Sequence, residues 1–324
     1  MILGGSQRVK KGFIYSIRLV VILLIGSLLT IVVYDLSHLS DMMNQVIYKL
    51  EDVVGFELAS TFESNLTYGN PLEGSYIHES RYPYPTTEGL IEANLVHSNI
   101  TVEASEGEEI EVLIQTKNPE CFRIDVEDEG LVIHEKKQKS FGGFSFKGRQ
   151  KSEVMIKVPR AFGQLELKTI NGDVLVQSME MDLVEAATVN GEVKLQQSQA
   201  TEAILSTVNG AIYVSHSELI EALKMDLVNG SIIINEVIAT AMMNHVVNGE
   251  IVISNLYGQA INASAVNADF EWEDVYVATI DINRLNGNIK WVNEDLNYQI
   301  QSIHISGLKK NDEIQANVSN ISYN

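Results

Sequence analysis

Apolar residues return at fixed offsets across residues 165–291, about every 19 positions. The dipeptide Asn-Gly marks each return, at Asn171-Gly172, Asn190-Gly191, Asn209-Gly210, Asn229-Gly230, Asn248-Gly249 and Asn286-Gly287. Asn267-Ala268 is the one altered copy, and the spacings are 19, 19, 20, 19, 19 and 19 residues. Four columns counted from the Asn are apolar in every copy: six before (Leu165 to Ile280), one before (Ile170 to Leu285), three after (Val174 to Ile289) and five after (Val176 to Trp291). The column two after the Asn is small or polar: Asp173, Glu192, Ala211, Ser231, Glu250, Asp269 and Asn288.

Two short strands of period 2, rich in β-branched residues, therefore flank a turn in each copy. No copy can bury its apolar face alone, but stacked copies align like residues into one core. The pattern predicts an all-β fold, a right-handed single-chain parallel β-helix (β-solenoid) of ~19-residue coils. Seven coils would stack to roughly 34 Å at one strand spacing each. Glycine after each Asn fits a positive φ. An Asn column at ~4.8 Å spacing can bond amide to amide along the axis. Asn171, Asn190, Asn209, Asn229, Asn248, Asn267 and Asn286 are thus the expected structural ladder. An antiparallel meander would also use Asn-Gly turns. It needs a second regular turn, and between copies the sequence is irregular. A leucine-rich repeat has an Asn at similar length, but Leu165-x-Leu167 lies one residue too far from Asn171. Trp272 and Trp291 share one column of the last two copies, where larger residues are expected to close the core.

Ahead of the repeats, strand-like alternation covers 100–102, 110–115, 122–126, 131–134 and 154–158. All five prolines precede residue 160, which leaves the array free of residues that cannot donate to a ladder. Earlier still, residues 19–34 carry no charge. With 13–18 they give roughly the ~20 residues of a spanning helix. The resulting organisation is a basic cytoplasmic tail (1–12), a transmembrane anchor (13–34), a juxtamembrane helix and linker (35–88), N-terminal strands with a basic loop (89–160), and Asn-Gly repeats with a C-terminal cap (161–324). Arg8, Lys10, Lys11 and Arg18 place the N-terminus in the cytoplasm and the C-terminal domain outside the cell membrane.

Charge narrows the partners. The net charge is −20, and so acidic a body argues against nucleic acid. Cys121 is the only cysteine, which excludes an internal disulfide or a thiolate zinc cluster. The seven histidines show no metal spacing, and no nucleotide-binding or hydrolase motif occurs. No catalytic residue, cofactor or metal is assigned. Asp173 with Glu192, and Glu250 with Asp269, would stand about 5 Å apart on adjacent coils, a glycosidase-like separation. A polar outward column in an acidic protein produces such pairs anyway. One stretch breaks the acidic rule: 136–151 (KKQKSFGGFSFKGRQK) has six basic residues, three phenylalanines and no acid. Lys136, Lys137, Lys139, Lys147, Arg149 and Lys151 are the candidate anionic-ligand loop.

The text KVPRAFGQLELKTINGDVLV, followed by TVNGEVKL, TVNGAIYV, LVNGSIII and VVNGEIVI, resembles the bacterial "putative adhesin" β-strand-repeat family, a domain of unknown function. The resemblance covers roughly 90–305. It implies the fold and names no catalytic residue. The expectation is a non-catalytic, membrane-anchored, adhesin-like module at the cell envelope, meeting an envelope polymer or a membrane-protein partner. The alternatives are a regulatory partner of an envelope-stress system, which the resemblance of anchored members implies, and a carbohydrate-active β-helix enzyme.

Overall fold

The computed structural model describes residues 76–83, 89–127, 130–136, 151–307, 309 and 311–323. The anchor, the juxtamembrane helix and most of the basic loop lie outside them. Among the described residues, no helix is long and apolar enough to cross a membrane.

The strands in chain order are β1 (Tyr76–Pro83), β2 (Leu90–Leu95), β3 (Ser98–Ser105), β4 (Glu109–Thr116), β5 (Phe122–Glu127), β6 (Gly130–Glu135) and β7 (Ser152–Pro159). The array continues with β8 (Ala161–Thr169), β9 (Val174–Gln177), β10 (Glu180–Asn190), β11 (Val193–Gln196) and the long run β12 (Gln199–Tyr276), which contains several corners. It ends with β13 (Thr279–Asn286), β14 (Ile289–Val292), β15 (Ser302–Ser306), β16 (Glu313–Gln315) and β17 (Ile321–Tyr323). Tyr76–Pro83 falls in the stretch whose composition reads as spacer, yet it is a strand, paired antiparallel with β4.

The repeats stack in parallel. Ala161 pairs with Glu180, Glu180 with Gln199, and Ala260 with Thr279. On the next face of the coil Val174 pairs with Val193, and Val193 with Ile212. A meander is antiparallel, so that arrangement is excluded. The chain order breaks at the N-terminal end. β2 pairs in parallel with both β6 and β8, and β3 with both β7 and β9. The β2–β3 coil is therefore inserted between the β6–β7 coil and the first Asn-Gly coil. On the outer side of the β6–β7 coil, β4 and β5 cover the end with antiparallel pairing.

Three of the four apolar columns face the core, among them Leu165, Val184, Val174 and Val176. The fourth does not. Alternation puts Thr169 and Thr188 inward, and so the residue one before each Asn outward. Val247 and Val266 in that outward column are nonetheless buried, and they stand apart from the main core cluster. They form a second apolar seam at the corner, which a simple count of apolar positions merges with the core.

The glycines also need a revised reason. Gly230 and Gly287 have φ of 141° and 109°. Gly172, Gly191 and Gly210 are not among the positive-φ residues. A Cβ built on Gly191 would overlap the carbonyl oxygen of Gly172, and one on Gly210 that of Gly191. Close approach of the coil beneath, rather than φ, fixes glycine here. A second corner is regular in backbone only. Ser178, Gln197, His216, Glu236, Asn255 and Asp274, seven after successive Asn residues, all have φ between 50° and 60°. Their side chains are all polar but share no residue type, so only a polar column, not a repeated letter, marks them.

The C-terminal end closes as its larger residues foretell. Trp272 packs edge-on against Trp291 at 5.7 Å and against Phe270 at 5.8 Å. Arg284 forms a buried ion pair with Asp312 and donates to the carbonyls of Gly287 (2.6 Å) and Gly307 (3.2 Å). Asp312 also accepts the Ile289 N–H at 2.9 Å. The pair pins the last loop over the final Asn-Gly corner.

Replacing Gly191 by Ala should cost about 1–3 kcal/mol, since the methyl must displace backbone. Replacing exposed Gln199 by Ala should stay within about 0.5 kcal/mol. Urea unfolding of both variants measures the contrast, and equal midpoints would refute the close-approach account.

Candidate functional site

The Asn-Gly corner and the chain that leaves it in the end coil make the most specialised region among the described residues. The Asn side chains form one directional chain of amides. Asn190 donates Nδ2–H to Asn171 Oδ1 at 2.9 Å, and Asn209 to Asn190 at 3.0 Å. Asn229, Asn248, Asn267 and Asn286 each donate to the copy before, at 2.8–3.0 Å. Asn267 keeps its place although Ala268 follows it. Ala268 faces inward, 2% exposed, and continues the strand alternation.

The chain of amides ends on a residue that periodicity does not reveal. Asn171 Nδ2 lies 3.1 Å from His97 Nδ1. An amide nitrogen only donates, so Nδ1 accepts and the ring proton resides on Nε2. His97 is 74 residues from Asn171 and belongs to the inserted coil. Its own corner is held by Glu135, whose Oε2 accepts the N–H of Val96 (2.8 Å), the N–H of His97 (2.9 Å) and the Ser98 hydroxyl (2.7 Å). Threonines tie successive corners: Thr169 donates to Ser98 O, Thr188 to Gly172 O and Thr207 to Gly191 O, at 2.8–3.0 Å.

Lys136 and Lys151, the two ends of the basic run, lie at this same corner. Ser152 is in register with Ser98, and its N–H donates to the His97 carbonyl at 3.0 Å. In the end coil, Lys136 and Lys151 thus flank the position where the other coils have Asn-Gly. Lys136 is exposed, and its N–H donates to the Cys121 carbonyl at 2.7 Å. Lys151 Nζ lies 3.7 Å from Asp173 Oδ2. Lys137, Lys139, Lys147 and Arg149 lie outside the described residues. Of the six loop cations, the structure therefore places the two at the mouth.

The acidic column beside the corner has backbone work. Asp173 Oδ1 accepts the Glu192 N–H at 2.9 Å, and Asp269 Oδ1 accepts the Asn288 N–H at 2.8 Å. These carboxylates replace ladder acceptors where the strand turns. Glu192 pairs with Lys194 at 2.5 Å, and that hydrogen bond holds the Lys194 ammonium above its usual range. His245 Nδ1 lies 2.8 Å from Asp226 Oδ1 on the neighbouring coil, with Asp226 buried. Among the described residues no group of three or more His, Cys, Asp or Glu is placed to hold a metal ion.

Residues 90–320 match the profile of the family described as Toastrack DUF4097. Among curated proteins, none matches this chain. Several solved structures are similar at low identity. A "putative adhesin" from Bacteroides fragilis is 16% identical, with 77% of this chain and 97% of that chain covered and a TM-score of 0.42. A "putative lipid binding protein" from Parabacteroides distasonis is also 16% identical, with 80% and 100% covered and a TM-score of 0.46. A "putative cell adhesion protein" from Clostridium sporogenes is 11% identical, with 68% and 100% covered and a TM-score of 0.31.

Removing one amide from the middle of the ladder leaves a donor and an acceptor without partners. Asn190→Ala should lower stability by about 1–2 kcal/mol. His97→Ala, at the end, strands only the Asn171 donor and should cost about half as much. Chemical denaturation of both gives the ranking; the reverse order would sink the directional ladder.

Proposed function

Because the chain belongs to the Toastrack DUF4097 family, we propose that it is a non-catalytic, adhesin-like binding and scaffolding module. In this reading the apolar segment 13–34 anchors it in the cell membrane, with the N-terminus cytoplasmic and a right-handed β-solenoid outside the cell. The right hand follows the general handedness of parallel crossovers. The one observation that carries the binding role is the position of the basic run. The regular side chains are engaged in ladder and corner bonds, whereas Lys136 and Lys151 open a cation-rich segment at the corner where the Asn column stops. A segment with six cations and no acid, on a body this acidic, draws anions to one place. Its ligand is an anionic envelope polymer or lipid headgroup.

The test replaces Lys136, Lys137, Lys139, Lys147, Arg149 and Lys151 by Gln in the full chain. Retention on cell-wall polymer or anionic vesicles should fall at least about tenfold, and salt should weaken wild-type retention. Unchanged retention by the folded variant would reject the loop as the binding element.

A further inference from the structure

The second corner carries a surface of opposite character to the basic run. The six positions around it in each of seven coils, 178–183, 197–202, 216–221, 236–241, 255–260, 274–279 and 293–298, contain no lysine and no arginine. They do contain large apolar side chains that face solvent: Ile220 (50% exposed), Ile238 (53%), Tyr257 (50%) and Leu296 (58%). Ile220, Ile238 and Tyr257 lie on three successive coils of one flank, and Leu296 lies two coils beyond Tyr257, past the coil of buried Tyr276. Tyr257 is rigidly backed, its ring stacked at 5.2 Å on buried Tyr276. Tyr276 in turn is fixed by its hydroxyl, which donates to Asp274 at 2.7 Å and accepts the Asp295 N–H at 3.1 Å. Exposed Glu218, Glu221, Glu236, Glu294 and Asp295 border the stripe. Nearby cations are engaged from outside the flank: Arg160 with Glu180 at 2.9 Å, and Lys224 with Glu202 at 2.5 Å. His216 sits 3.2 Å from Glu236.

We propose that this acid-bordered apolar stripe is the docking surface for the basic, phenylalanine-bearing segment 136–151 of a second copy of the chain. The proposal rests on the reading of that segment as anion-seeking and names its partner. Complementarity is twofold, with six cations against bordering carboxylates and three phenylalanines against Ile220, Ile238, Tyr257 and Leu296. Apolar contact supplies affinity, and charge supplies encounter and register. Reach argues for a second copy. The segment leaves the β6–β7 coil, and Tyr257 lies six coils further on, about 29 Å along the axis. The 14 residues between Lys136 and Lys151 carry their midpoint at most about 24 Å when fully extended. They would also have to pass from the Asn corner to the opposite one. Within one chain the segment therefore falls short of Tyr257 and Leu296. Segment and stripe are different surfaces, so the contact is heterologous, and a pair of copies keeps one free segment and one free stripe.

The experiment is sedimentation velocity on the full chain in detergent micelles, over a range of concentration and at low and high salt. Wild type should self-associate, and more weakly as salt rises. Two variants are compared: a stripe variant (Ile238→Ser with Tyr257→Ser) and a loop variant (the six cations replaced by Gln). Circular dichroism and thermal unfolding establish that both fold. Each alone should associate at least about tenfold more weakly. An equimolar mixture should recover association, because the loop of the first meets the stripe of the second. A monomeric wild type, variants that associate like wild type, or a mixture that stays dissociated would each overturn the proposal. The envelope-retention assay on the same loop variant separates the two readings. Retention lost with self-association intact rejects this inference alone. Self-association lost with retention intact rejects the envelope ligand alone.

Discussion

At each Asn-Gly corner the carbonyl of one coil occupies the space that a Cβ on the next coil's glycine would need. Strand spacing sets how far apart coils may stand, and the turn brings backbone onto backbone at that spacing. Glycine, rather than Asn, is thus what lets the stack close at this corner. With the corner closed, side chains one coil apart come into register. The Asn amides then bond at 2.8–3.0 Å, the threonine hydroxyls reach the glycine carbonyls, and the core columns align. The opposite corner is solved by six residues in left-handed backbone, at an energetic cost that packing on both sides offsets.

A periodic stack must also stop. The ladder ends on His97, which can accept because an imidazole has one nitrogen free of hydrogen. At the other end, bulk and charge replace periodicity. Trp272 and Trp291 fill the core, and the buried Arg284–Asp312 pair fastens the final loop. A buried pair of this kind is weak evidence for added stability, since desolvation offsets its attraction. Its geometry, with carbonyls of Gly287 and Gly307 on the same guanidinium, fits a device that fixes where the chain ends its coiling.

The two corners divide the surface by charge. At the Asn corner Lys136 and Lys151 bound a cation-rich run of sequence. The other flank holds acids and apolar side chains with no lysine or arginine. On an acidic protein, such segregation gives the molecule a direction for approach that net charge alone lacks.

The repeat, the inward columns and the Asn column could be read from the sequence, because stacking turns a spatial contact into a fixed count along the chain. Val174 and Val193 touch because they are 19 apart. Three things could not be read that way. The Ile170-to-Leu285 column is as apolar as the core, and only the corner geometry sends it outward into its own seam. The left-handed corner recurs in backbone angle while its residues change from Ser to Gln to His to Glu, so the sequence shows only a polar column there, which does not reveal the backbone angle. The β2–β3 coil enters the stack out of order, which makes His97 the neighbour of Asn171 across 74 residues. Composition and spacing determined that this chain would coil, and roughly where each coil would turn. Which way the turns face, what ends the ladder and which surfaces lie opposite each other were decided by contacts between residues far apart in sequence, where the repeat interval no longer applies.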